Sequence, residues 1–165
     1  MEAIVYTTNT GSSKAYANML SRALGIPAYT IAEAKSELPA GAPVIYVGWV
    51  MASSVKGYKK AAKLFNIAAL CAVGMGKTGA DSAAVRSKTH VDDRIPVFML
   101  QGNFDINKLG GIYKPMMKIM LKALSGKADK TDEEKKMLEI LTDCKNKVVF
   151  ENLSQILKWY MEIMK

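Results

Sequence analysis

The sequence predicts an α/β protein with one parallel sheet covered by helices on both faces. Three observations predict it. Five short apolar runs alternate with stretches of helical period. Glycine and small polar residues follow the carboxyl ends of four of those runs. Half of the 165 residues are apolar, which suffices for one domain with a sizeable core.

The first strand is predicted over residues 3–6, Ala-Ile-Val-Tyr. It leads through Thr8-Asn9-Thr10-Gly11-Ser12-Ser13 into a helix over 14–24, with Ala17, Leu20 and Ala23 or Leu24 inward. A short second strand is predicted over 27–31 and a third over 44–47. The third ends in Gly48-Trp49 and is followed by a helix over 54–65, capped by Ser53 or Ser54. The fourth strand spans 67–73 and ends in Gly74-Met75-Gly76. The fifth spans 96–100 and ends in Gln101-Gly102-Asn103. A last helix is predicted over 153–163, with Ile156, Leu157 and Tyr160 inward. Residues 148–150 either continue a strand or lead into that helix.

Residues 106–146 form an insertion before the last helix, within a domain spanning 1–165. Helices are predicted over 113–124 and 132–141. Thr131 or Asp132 is the cap of the second, and Glu133 and Glu134 occupy its favoured first turn. The first carries Met116, Met117, Met120, Leu121 and Leu124 on an apolar face, and Lys114, Lys118 and Lys122 on a polar stripe. Such a helix packs on the sheet, lies on an anionic membrane, or lines an apolar pocket for a quinone or flat aromatic substrate.

The net charge is +8, which favours an anionic partner without selecting one. No nucleic-acid motif is present, so no nucleic-acid partner is expected. Cys71 and Cys144 match no metal or disulfide pattern. Cys71 reads as core, and Cys144 as partly exposed. No signal segment opens the chain and no apolar run reaches membrane-spanning length, so a cytoplasmic protein is expected, at most peripheral to the inner face of the membrane. His90 lies among polar and charged residues and reads as exposed. No catalytic acid–base pair or metal site is evident. Asp105 is either a substrate contact or the cap of a turn.

In a doubly wound sheet, ligands sit outside the carboxyl ends of the strands. Four loops gather there, at 8–13, 48–54, 74–79 and 102–105. The first lacks the lysine and longer glycine loop of a nucleotide-triphosphate site and the three spaced glycines of a dinucleotide site. What remains is a turn dense in hydroxyls from Thr7 to Ser13, either sized for one phosphate monoester at a helix start or an ordinary strand–helix turn with an N-cap. Lys14 either adds charge to it or faces solvent.

Thr8-Asn9-Thr10-Gly11-Ser12-Ser13 resembles the phosphate loop of flavodoxins, Thr/Ser-x-Thr-Gly-x-Thr, with serine in the last place. The resemblance implies a flavodoxin-like three-layer α/β/α sandwich. Its five parallel strands would run in the order 2-1-3-4-5, with a helical insertion after the fifth. It also implies noncovalent FMN, with the phosphate on Thr8, Asn9, Thr10, Gly11, Ser12 and Ser13. The ring would lie between Gly48, Trp49, Val50, Met51, Ala52 and Ser53 on one side and Gly74, Met75, Gly76, Lys77 and Gly79 on the other. Trp49 is the candidate to stack on the ring, and Met51 and Met75 to pack against its dimethylbenzene edge. The loop after the fourth strand has no aromatic residue, which leaves one ring face open to a substrate or partner.

The run Tyr113, Met116, Met117, Lys118, Leu121, Lys122, Ser125, Gly126 is similar to a segment of bacterial flavodoxin-like, menaquinone-dependent protoporphyrinogen oxidases, as is 147–152. Lys127 replaces the second glycine of that family's Ser-Gly-Gly, and the spacer 128–145 is longer than in those enzymes. The resemblance implies an FMN redox protein that exchanges electrons with a partner protein, a small organic substrate or a quinone; the alternatives are a non-redox phosphate-ligand or interaction module of the same fold and a membrane-surface adaptor. Contact with an anionic membrane would run through Lys114, Lys118 and Lys122. Monomer and homodimer both suit the chain. Its basic character implies a flavin potential less negative than that of acidic flavodoxins.

Overall fold

Alternation along the central strands sets the layers of the sheet. Val5, Val44, Tyr46, Leu70 and Ala72 belong to one core cluster. Their strand neighbours Ile4, Tyr6, Ile45, Val47, Ala69, Cys71 and Val73 belong to the other. A strand covered on both faces must be apolar at every position, which is why these runs show no polar alternation. Each fully buried valine or isoleucine of this kind contributes roughly 1.5–3 kcal/mol.

The computed structural model describes residues 1–142 and 146–165. Cys144 lies outside the described residues. In chain order the elements are β1 (Ala3–Tyr6), α1 (Ser12–Leu24), β2 (Ala28–Thr30), α2 (Ile31–Glu37), β3 (Pro43–Met51), β4 (Ser54–Val55) and α3 (Tyr58–Leu64). There follow β5 (Asn66–Gly74), α4 (Ala83–Thr89), β6 (Val97–Gln101), α5 (Tyr113–Gly126) and α6 (Asp132–Thr142). A 3-10 turn at Phe150–Leu153 leads into α7 (Ser154–Ile163).

The strands pair in the order β2-β1-β3-β5-β6, all parallel, with the two-residue β4 antiparallel to the end of β3. Counting only the parallel strands, the order is 2-1-3-4-5. Helices α2, α3 and α4 supply Ile31, Ala34, Tyr58, Ala61 and Val85 to one face. Helices α1 and α7 supply Tyr16, Ala17, Leu20 and Ile156 to the other. Trp159 of α7 closes that layer against Phe98 of β6, ring centroids 5.9 Å apart. This is a three-layer α/β/α sandwich of flavodoxin-like topology. Strand order reverses at β1, so the loops after β1 and β3 flank the switch point.

The structure corrects several local expectations. The third strand does not stop at Val47. It runs to Met51, and Trp49 pairs with Val73 of β5. Residues 48–51 are therefore strand, held by pairing of Val50 with Val55 and Met51 with Ser54. Ala52 and Ser53 form the two-residue hairpin turn, with φ of 48° and 58°. Two left-handed residues give the turn whose twist suits a hairpin. The helix expected over 54–65 starts only at Tyr58. Ser54 and Val55 are committed to β4, and Gly57 adopts φ 80° immediately before the helix.

Helix α1 begins two residues earlier than expected, directly after Gly11. Tyr16 joins its inward face. Helices α2 and α4 have no counterpart among the predicted elements, although Thr30 and Glu33 form a complete capping box at the start of α2. His90 ends α4, exposed, with φ 59°. Residues 148 and 149 lead into the last helix rather than extending the sheet.

A candidate cofactor site at the carboxyl edge of the sheet

Gly11 takes φ 100° and places the first turn of α1 at the end of β1. No side chain caps that helix start. The first backbone N–H groups of a helix lack intrahelical partners. The Thr8 hydroxyl accepts from the Gly11 N–H at 3.1 Å and closes the turn. Two side-chain groups of the loop are buried without any hydrogen-bond partner: the Ser13 hydroxyl and the Asn9 amide nitrogen. Ser13 is only 1% exposed. An orphaned buried donor costs about 1–3 kcal/mol. Two at one helix start fit an anion that neither the sheet nor the insertion supplies.

The remaining hydroxyls of the loop have other tasks. The Ser12 hydroxyl accepts from the Asn103 N–H at 3.0 Å. The Thr10 hydroxyl points at the Asn103 carbonyl at 3.5 Å. Thr7 turns away from the loop, its Oγ1 2.9 Å from the Tyr46 hydroxyl and donating to the Lys56 carbonyl at 2.8 Å. Lys14 is exposed, and its charge acts on Glu33, whose carboxyl the Thr30 cap already holds below the usual range.

Beside this loop lies a cavity of about 420 Å³. That is within the range of small-molecule sites. Thr8, Asn9, Thr10, Ser12 and Ser13 of the loop after β1 form one end. Trp49, Val50, Met51 and Ala52 come from β3 and its hairpin, and Gly74 and Met75 from the end of β5. Gly11, Gly48, Ser53, Gly76, Lys77 and Gly79 lie off this wall. Gly48 is buried within β3, where an added Cβ would lie 2.8 Å from the Tyr46 ring. Gly79 instead donates its N–H to the Met99 carbonyl at 2.9 Å.

The cavity has a roof that the site residues chosen from sequence did not include. Phe104, Leu109, Tyr113, Met116, Met117, Met120 and Met137 come from the segment after β6 and from α5 and α6. Tyr113 meets Trp49 edge to face, centroids 5.3 Å apart at 85°. The Gly110 N–H donates to Asn9 Oδ1 at 3.0 Å and ties the insertion to the loop after β1. The methionine face of α5 was the available signal. Nothing local, however, says which surface that face covers. Asp105 holds a turn, accepting from the Asn107 N–H at 2.9 Å.

Asn103 is the hub behind the site. Its Oδ1 accepts from the Lys147 N–H at 2.6 Å, and its amide donates to Asn146 Oδ1 at 2.9 Å. Asn152 donates to the Tyr16 hydroxyl at 2.6 Å, and that hydroxyl donates to the Gln101 carbonyl at 2.6 Å. Burial pushes the Tyr16 phenol up, so it stays a donor at neutral pH. These bonds anchor the end of β6 to α1.

A second recess of about 330 Å³ adjoins the cavity and shares Met75, Gly102, Asn103 and Phe104 with it. Lys77, Lys136 and Lys147 line this recess, against one carboxylate, Glu139.

Ser13→Ala separates the anion role of the loop from its structural role. The variant removes an orphaned buried hydroxyl from a helix, so the ligand-free protein is expected to gain about 1 kcal/mol. If the loop holds a phosphate, affinity for FMN is expected to fall roughly tenfold. Thermal melts of the ligand-free protein and an FMN fluorescence titration check the two opposite signs. A loss of stability together with unchanged affinity contradicts the assignment.

No family model, curated protein or solved structure matches the chain. The likeness to flavodoxins therefore stands on topology and on the loop after β1.

Proposed function

We propose that the protein is an FMN-binding redox protein, in one flavodoxin-like domain that carries 106–146 as an insertion. The observation that carries this reading is the pair of orphaned polar groups at the uncapped start of α1, at the end of an apolar cavity. Phosphate suits the loop, and a flat ring suits the space between Trp49, Met51 and Met75. Bound FMN would supply two-electron chemistry: an organic donor loses two electrons and two protons, and a quinone acceptor takes up both.

The residues of the chain orient and enclose. Among the described residues the cavity wall carries no carboxylate, histidine or lysine. These side chains exclude water and set ring position rather than move protons. The absence of carboxylates from this wall also supports a flavin potential less negative than in acidic flavodoxins. An enzyme is favoured over a carrier because the cavity continues under α5 and α6 and joins the lysine-lined recess. That pairing suits a flat apolar molecule with an acidic group. Oxidation of a porphyrinogen-like donor with a quinone acceptor is the narrower form of this reading, supported by the resemblance in α5.

The test is the visible spectrum of freshly purified protein, followed by cofactor release and mass identification. Flavin bands, released FMN and flavin reduction by a small organic donor are the expected result. Flavin that is reduced only by a protein partner makes the chain a carrier. Colourless protein that takes up no added FMN overturns the reading and moves it to another phosphate-bearing ligand or an interaction module.

A further inference from the structure

Helix α5 is apolar on two sides. Its inner side lays Tyr113, Met117 and Met120 on the cavity. Its outer side, read at i, i+4, i+7 from the preceding residue, carries Ile112, Met116 and Ile119. These are 76%, 43% and 71% exposed, although Met116 also reaches the cavity rim. A helix whose apolar residues extend beyond its packed side normally has that extension covered as well. Ile112 and Ile119, two turns apart on the same face and bridged by Met116, form a contiguous apolar stripe that water does not favour.

The charges beside the stripe indicate what covers it. Lys118 and Lys122 flank it, both exposed and without an ion pair among the described residues. Lys114 does not share this role, because its ammonium donates to the Asn107 carbonyl at 3.0 Å. From 106 to 128 every cation is lysine, none is arginine, and no carboxylate is present. Protein interfaces favour arginine and disfavour lysine, whereas lysines beside an apolar helix face suit anionic headgroups with acyl chains beneath. No helix among the described residues is long and apolar enough to cross a membrane. The contact would therefore lie in the plane of the surface.

We infer that the outer face of α5 docks on an anionic lipid surface, with Ile112, Met116 and Ile119 entering the headgroup boundary and Lys118 and Lys122 on the phosphates. The same helix roofs the cavity, so docking brings the cavity mouth to the bilayer, where an apolar donor or acceptor resides. The docking itself does not depend on the cofactor reading, because the face is formed by protein alone.

The test is co-sedimentation with phosphatidylglycerol–phosphatidylcholine vesicles and with phosphatidylcholine alone, with and without added FMN. Binding is expected on the anionic vesicles and much less on neutral ones, whether or not FMN binds. Lys118→Gln/Lys122→Gln is expected to lower the partition coefficient roughly twenty-five-fold, at about fivefold per lysine. Ile112→Ser/Ile119→Ser is expected to abolish the binding that persists at high salt. Both doubles change exposed side chains, and unchanged melting curves verify the fold. No binding of the wild-type chain to anionic vesicles overturns the proposal, as does binding that neither double alters. So does a dimer that Ile112→Ser/Ile119→Ser dissociates in the absence of vesicle binding, which assigns the face to a second copy of the chain.

Discussion

Thr8→Asp is expected to leave the fold intact and to weaken FMN binding about a hundredfold. Thr8 is exposed and its hydroxyl accepts the Gly11 N–H at 3.1 Å. An aspartate oxygen can take the same bond, and a carboxylate at a helix start interacts favourably with the helix dipole. The ligand-free protein is therefore expected to melt at the same temperature or slightly higher. The new charge would face a phosphate dianion across a few ångströms of partly screened space. Coulomb repulsion there amounts to about 3 kcal/mol at an intermediate effective dielectric. Thr8→Asn, the uncharged control of similar shape, is expected to cost less than tenfold. A fluorescence titration with FMN reads both. Equal affinity for the wild type and Thr8→Asp removes the phosphate from this loop, whatever the visible spectrum shows.

Gly57→Ala is expected to lower stability by about 3 kcal/mol and the melting temperature by roughly 10 °C. Gly57 sits at φ 80°, where a side chain is strained. An added Cβ would also overlap the Tyr46 hydroxyl and lie 2.6 Å from Thr7 Cγ2. Neither neighbour has room to yield. Tyr46 is fully buried, and its hydroxyl donates to the Lys56 carbonyl at 2.7 Å while lying 2.9 Å from Thr7 Oγ1. Burial pushes the Tyr46 phenol far up, so it stays protonated and holds these bonds across the physiological range. Gly25→Ala is the control. It has similar left-handed geometry, at φ 67°, with open space where the Cβ would go, and is expected to cost about 1 kcal/mol. The difference in melting temperature between the two variants isolates the steric part. Because Thr7 precedes the phosphate loop, Gly57→Ala is also expected to weaken FMN binding while Gly25→Ala does not. Equal losses in the two variants overturn the packing argument.

Several parts of the fold were legible for local reasons. The strands declared themselves because burial on both faces demands unbroken apolar runs. The hydroxyl-rich loop between the first strand and the first helix was legible because its residues are contiguous in the chain. Thr30 and Glu33 carried a readable capping signal, but the short helix they open has only Ile31 and Ala34 buried, too little periodicity to weigh. In sequence Gly48 reads as a terminator, so the strand character of residues 48–51 is hidden. Its glycine character answers a different demand, the close approach of Val55 and Tyr46, which no window of sequence contains. The pairing of Ser12 with Asn103 spans 91 residues, and that of Asn9 with Gly110 spans 101. Neither has any local trace.

Taken alone, the sequence determined the alternation of strands and helices, the burial of the sheet on both faces, and the hydroxyl-rich loop after the first strand. Each of these follows from periodicity or backbone chemistry within a few residues. Only the tertiary structure decided that β3 carries Trp49 out to meet Tyr113, that Asn103 takes the Ser12 hydroxyl while Ser13 is left unpartnered, and that α5 roofs the cavity with one apolar side and exposes the other. Those outcomes depend on which surfaces remain uncovered once the sheet has formed. Residues distant in the chain set those surfaces jointly, so no local pattern encodes them.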